Sequence, residues 1–419
     1  MVATTLSAMA DAMTPHSSAL AAESRLMSLD ALRGFDMFWI LGADAVVTAL
    51  GKVIHAAPIR LLVRQVDHSA WAGLTFYDLI FPLFVFITGV SLVFSIGKSL
   101  ERRGRALTVR HILIRTSLLF LLGILYNGGL SHEWPEVRLA GVLQRIALAY
   151  CAAALLFCFF KRRTLWITGG LLLVIYWAIL TFIPIRNIAL DKDAIASRVG
   201  SAHPTAEQVR RLYDDTTTTV TGRYEPGLNV ANHLDYRWLP GAKYDVYWDP
   251  EGPLSTLPAI ATCLLGVMAG GWLRRRDLDE RKKIQRLLVT GGLCLALGCA
   301  WSFQFPIIKK IWTSSFMLVA GGWSLLLLTV FYYVVDVLKW RGWCRPFVWI
   351  GLNPITLYLA TALIDFGRIA RHLAGGDIAR FLDAHFVPGT GELLLATLTL
   401  GLLVGLAGFL YRKGIFLRI

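Results

Sequence analysis

Leu29-Asp30-Ala31-Leu32-Arg33-Gly34-Phe35-Asp36-Met37-Phe38-Trp39-Ile40-Leu41-Gly42-Ala43-Asp44 is the stretch that decides the fold class. It is apolar enough to cross a bilayer, yet it carries three acids and a base. An isolated charge in hydrocarbon costs several kcal/mol, so such residues face a protein interior or a watery cavity. A bare anchor has no use for them. The reading is an all-α polytopic membrane protein with a polar site inside it.

The rest of the 419 residues point the same way. Hydrophobic residues make up 56% and charged residues 17%, with a mean hydropathy of +0.57. A soluble domain carries about a quarter charged residues. A spanning helix needs about 20 apolar residues, and ten stretches qualify: 27–50, 73–97, 108–127, 139–160, 164–184, 254–273, 284–304, 312–337, 346–366 and 391–411. Residues 1–24 are Ala/Ser/Thr-rich with no Lys or Arg ahead of an apolar core, which predicts a disordered tail and not a signal peptide. The remaining divisions are five spans in 25–184, with an active-site loop at 51–72, then a cap at 185–253 and five more spans in 254–419. The cap is Pro-rich, with Tyr236, Trp238, Tyr244, Tyr247 and Trp248 interleaved among its polar residues. It reads either as an irregular covering or as a lid over a sugar site.

The net charge of +14 does not mark a nucleic-acid partner. The excess sits in alternate connections: Lys98 to Arg110, Lys161-Arg162-Arg163, Arg274 to Lys283, Lys339 to Arg345, and Arg412-Lys413. That is the positive-inside pattern, which predicts both termini in the cytoplasm and the 185–253 segment outside. The six cysteines lie in or beside apolar stretches without metal-ligand spacing, and read as packing residues with no disulfide framework. No metal site is expected.

Asp30 and Arg33 can pair at i, i+3 near the cytoplasmic end. Asp44 lies 14 residues beyond Asp30, about 21 Å along a regular helix and on the same face. Asp67-His68-Ser69-Ala70-Trp71 leads into the second span, with Asp78 about two turns inside it. A histidine beside a buried acid can take a proton from an attacking amine near neutral pH. Gln144 and Arg145 fall inside the fourth span, and an arginine there wants a carboxylate or phosphate. Lys309 and Lys310 lie on the external side ahead of Trp312, against the charge bias. Asn353-Pro354 sits within the ninth span.

These motifs resemble the heparan-α-glucosaminide N-acetyltransferase family, in its bacterial NagX-like branch within the transmembrane acyltransferases. The resemblance rests on Ser28-Leu29-Asp30-Ala31-Leu32-Arg33-Gly34, the His68 to Pro82 run, Gly141-Val142-Leu143-Gln144-Arg145-Ile146-Ala147, Asp249-Pro250-Glu251-Gly252, the Lys309 to Phe316 run and Gly351-Leu352-Asn353-Pro354-Ile355. It implies transfer of acetyl from cytosolic acetyl-CoA to the amine of a glucosamine-type sugar across the membrane, in a homodimer. The lysosomal relatives add a lumenal domain with one further span, so ten spans and not eleven are expected here. The family's active-site histidine matches His68, and its asparagine on the preceding span matches Asp44.

The donor's phosphates would then meet Arg33, Arg345 and Lys413, and its arm would pass Gln144, Arg145 and Asn353. The acceptor would meet Asp78, Trp71, Asp249, Glu251, Lys309, Lys310 and Trp312. The expected location is a bacterial inner membrane. The competing expectation is an amino-sugar permease, for N-acetylglucosamine, which has buried acids but no need of coenzyme A.

Overall fold

The computed structural model describes residues 26–417 apart from His132 and Pro135, so the expected tail at 1–24 lies outside the described residues. The chain is an all-α bundle, because backbone polar groups in lipid must be satisfied within each segment. Eight helices are long and apolar enough to cross a membrane, and the bent pair Arg345–Leu352 with Pro354–Leu363 makes a ninth. One of the eight, Tyr77–Tyr126, holds 50 residues, about 75 Å of straight helix against a hydrocarbon core of about 30 Å. It is two crossings. Gly104 takes φ 74°, and the hydroxyls of Ser99 and Thr108 meet at 2.9 Å, where a straight helix would separate those residues by about 13 Å. Divided there, the described residues offer up to ten segments of spanning length and composition, counting the bent pair as one.

Thr256–Leu273 sits at the centre, with 78% of its apolar window buried, whereas the last helix, Thr390–Arg412, buries 17%. Close helix approach depends on absent side chains. A Cβ on Gly34 would strike the Phe347 carbonyl, one on Gly351 the Asp30 carbonyl, one on Gly89 the Cys263 carbonyl and one on Gly266 the Phe86 carbonyl. Two helix pairs therefore cross backbone to backbone, as small residues permit in membranes. The basic connections gather at one end: Arg274 pairs with Glu101, and Arg162 reaches the Met268 carbonyl and the Trp272 ring.

The structure departs from the sequence reading in three places. The first helix is not regular: a π turn at Trp39–Ala43, with Gly42 at φ 118°, spoils the phase that would put Asp44 on the Asp30 face. The ninth span is bent by 74° at Asn353, because Pro354 cannot donate to the ladder. The cap is not irregular. It contains helices Lys192–Val199, Ala206–Asp215 and Val230–Trp238, and a two-stranded sheet pairing Ile185 with Val220. Its own core gathers Ile188, Leu190, Ile195, Val209 and Trp248. Those helices are short and polar, so hydropathy is blind to them. Their starts are signalled instead by caps at Asp191, Thr205 with Gln208, and Asn229.

Candidate active site

The site is built where two loops at the cap end of the bundle are stapled together. Gly73 N–H donates to the Ile307 carbonyl at 2.9 Å, and Ala72 bridges Ile308. This brings the His68 loop against the Lys309 loop. Thr75-Phe76-Tyr77-Asp78 then turns into the second span, with Thr75 N–H donating to Asp78 Oδ2 at 3.1 Å. Asp78 thus sits in the first turn (Tyr77–Leu79), not two turns inside. Its buried carboxylate also accepts from Ser69 N–H at 3.2 Å and Thr75 Oγ1 at 3.1 Å. A helix N-terminus favours that negative charge.

The remaining oxygen, Asp78 Oδ1, faces His68 Nδ1 at 2.9 Å and Lys309 Nζ at 3.3 Å. A carboxylate only accepts, so Nδ1 carries the proton and Nε2 keeps its lone pair. Lys309 Nζ lies 3.0 Å from Nδ1 and 3.4 Å from Nε2, and with Nδ1 committed, its hydrogen bond is to Asp78. Burial pushes the Lys309 ammonium below its ordinary pKa, with Asp78 opposing. His68 is half exposed, while Asp78 is fully covered. Asp44 does not reach His68 in this arrangement. Tyr77 flanks the histidine instead, their ring centroids 4.8 Å apart. The orienting contact belongs to Asp78.

His68, Asp78, Arg145, Glu251, Lys309, Lys310 and Trp312 all line one cavity of about 570 Å³, within the range of small-molecule sites. Apolar walls come from Met37 and Ile40 on the first helix, Phe81 and Phe84 on the second, and Pro354, Ile355 and Tyr358 beyond the break in the ninth, with Ser69, Tyr77, Arg138 and Tyr244 also at its surface.

Above the cavity the cap is braced by charge. Arg138 holds Asp249 with two hydrogen bonds of 2.8 Å and Glu251 with a third. Burial pushes the Asp249 carboxyl up, but Arg138 outweighs it and holds the group below the usual range. Burial pushes Glu251 up, with Arg145 pulling the other way. Arg145 donates to the Pro250 carbonyl and to Ser255 Oγ, and lies 4.9 Å from the Trp312 ring centroid. Trp312 has φ 51°, a strained conformation for so large a residue. Lys310 Nζ stands 6.0 Å and 5.8 Å from the Trp71 and Trp248 centroids, and Trp71 is tied to the Tyr224 carbonyl.

The other expected residues lie elsewhere. Gln144 is buried beneath Gly123 and Gly141 on neighbouring segments. Asn353 binds Ile415 and Leu417 of the C-terminal segment. Arg33 reaches Ser91, the Gly351 carbonyl and Asp30. Arg345 and Lys413 are exposed. Sequence reasoning passed over Tyr77, Tyr244, Tyr358 and Arg138 as site residues. They join the cavity through tertiary packing, which no local pattern signals.

Compared with models of protein families, the chain matches none. It is 30% identical over 338 residues to mouse heparan-alpha-glucosaminide N-acetyltransferase and 29% identical over 335 residues to the human protein of that name. Each alignment covers 71% of this chain, and the chain spans about half the length of these relatives (49%).

Proposed function

We propose that this protein is an integral-membrane N-acetyltransferase that moves acetyl from acetyl-CoA, on the basic side, to the amine of a glucosamine-type sugar on the cap side. The observation that carries the reading is the His68–Asp78–Lys309 cluster in one cavity with Arg138, Glu251 and Lys310 of the cap end and with apolar surfaces of the first, second and ninth spans. The names of the mouse and human relatives favour transfer over permeation. His68 Nε2 removes the amine proton as nitrogen attacks the thioester carbonyl. Asp78 fixes the ring's tautomer and steadies the imidazolium. Lys309 is the nearest cation for the oxyanion, and a buried cation is worth more there than in water. The intermediate collapses with cleavage of the carbon–sulfur bond, and His68 returns its proton to the departing thiolate.

Arg345 and Lys413, exposed at the basic end, meet the donor's phosphates. Glu251, Lys310, Trp71 and Trp312 frame the acceptor's approach. The location that fits is a bacterial inner membrane with both termini cytoplasmic, in a homodimer of the NagX-like branch. The test uses purified protein in lipid nanodiscs with radiolabelled acetyl-CoA and glucosamine. Label in N-acetylglucosamine, scaling with enzyme, is the expected result. Intact acetyl-CoA alongside uptake of N-acetylglucosamine in vesicles overturns it.

A further inference from the structure

The connection between the ninth and tenth spans is built inside out for a soluble segment. It consists of two short helices, Phe366–Ala374 and Asp377–His385. The face turned to the protein is made of small residues: Ala370 is 0% exposed and Ala379 is 7% exposed, and a Cβ on Gly391 of the last helix would strike the Ala379 carbonyl. The large apolar residues point away. Leu373 is 59% exposed, Phe381 54% and Phe386 65%, with Ile369 and Ile378 beside them. A helix beside water buries its large residues and shows its polar ones. An exposed apolar patch of this size marks an interaction surface.

We infer that these two helices lie in the membrane interface on the cap side, with Leu373, Ile378 and Phe381 inserted at the boundary between headgroups and acyl chains. Continuity supports lipid as the occupant. Leu363, 73% exposed, leads into the segment, and the last span follows directly after it with most of its own apolar surface uncovered. Both neighbours are read as crossings, so the segment cannot leave the bilayer surface by more than its own short length. Its charges also fit a zwitterionic headgroup layer. Asp365, Asp377 and Asp383 balance Arg368, Arg371 and Arg380, and Arg371 pairs with Asp365 and Arg380 with Asp377. Apolar area, not attraction to anionic lipid, holds such a helix down. The segment also holds the far end of Pro354–Leu363, whose Pro354, Ile355 and Tyr358 wall the cavity.

The test places a nitroxide at Leu373→Cys, Phe381→Cys or Arg371→Cys, one at a time, in the full chain with Cys151→Ser and Cys299→Ser. Each variant is measured by power saturation in phosphatidylcholine nanodiscs. The expected result is a ratio of oxygen to nickel-chelate accessibility several-fold higher at Leu373 and Phe381 than at Arg371, unchanged by salt. Equal, chelate-dominated accessibility at all three sites overturns the inference. Label-to-label dipolar broadening at Leu373 and Phe381, with both sites closed to oxygen, assigns the face to a second copy and overturns it as well. Neither outcome depends on acetyl transfer.

Discussion

Two clusters of buried charge bracket this bundle, and their surroundings differ. At the basic end, Arg33 is consumed by Asp30, Ser91 and the Gly351 carbonyl, which belong to three different helices. At the cap end, Asp78 gathers His68, Lys309, Ser69 and Thr75, but the histidine ring stands half open to a cavity. Both clusters satisfy their charges, as the low dielectric demands. Only the second leaves a lone pair facing space that a substrate can fill. A charge inside a membrane bundle is thus functional by its exposure to a cavity, and structural when its partners close around it.

The sharpest way to break that contrast is to remove the open ring. His68→Ala is expected to lower acetyl transfer by about 10² to 10⁴-fold, the usual contribution of a general base, with acetyl-CoA binding within a few-fold of the parent. Turnover equal to the parent at matched acetyl-CoA occupancy sinks the assignment. Asp78→Asn comes next, with a loss of about 10²-fold, because an amide can present the wrong tautomer to the ring. In the double variant with His68→Ala the losses should not multiply, since the two residues act as a unit. Multiplying losses separate them. Asp44→Asn should cost less than Asp78→Asn, because Asp78 is the acid that contacts the ring; the reverse order would return the orienting role to Asp44.

A third measurement extends the contrast into the cap. Asp235 is buried, and burial pushes its carboxyl up to about 7. The unfolded chain ionises that group near 3.9, so above that pH the folded state holds a proton that the unfolded state has released. Its contribution is therefore complete below about pH 4 and is lost as pH climbs through 7. His233 works in the opposite sense. Burial lowers it to about 4, so its contribution is present above its unfolded pKa of about 6.5 and is lost as pH falls through 4. Asp235→Asn should raise the melting temperature more at pH 8 than at pH 5, the difference corresponding to about 1–3 kcal/mol of stability. Identical pH profiles for variant and parent would refute the buried, protonated state.

The smallest expected effect lies at the closed cluster. Arg33→Met should lower stability by about 1 kcal/mol, the scale of interhelical hydrogen bonds in membranes, with turnover per folded molecule unchanged. A large rise in KM for acetyl-CoA, with the melting temperature held, would give Arg33 a donor-binding role and dissolve the distinction between the two clusters.

Much of the molecule was legible before any coordinates. Ten crossings follow from hydropathy, because a bilayer imposes a minimum apolar length on every segment. The chemistry of His68 and Asp78 follows from residue type and from their place just ahead of and inside the second span. The π turn before Asp44 was not legible, since Gly42 tolerates a helix as readily as a break and only packing chooses between them. The cap's helices were hidden because short polar helices lack the apolar stripe that marks longer ones.

The sequence by itself determined the fold class, the membrane, the candidate base and the charge asymmetry of the two ends. These are sums over local properties: apolar length, residue chemistry, and charge per connection. Only the tertiary structure decided which acid holds His68, that Arg33 and Asn353 are stitched to backbone carbonyls, and that Lys309, 241 positions away, closes the cluster. Partner choice depends on which loops meet. Here a backbone hydrogen bond from Gly73 to Ile307 sets that meeting, and no local pattern in either loop encodes it.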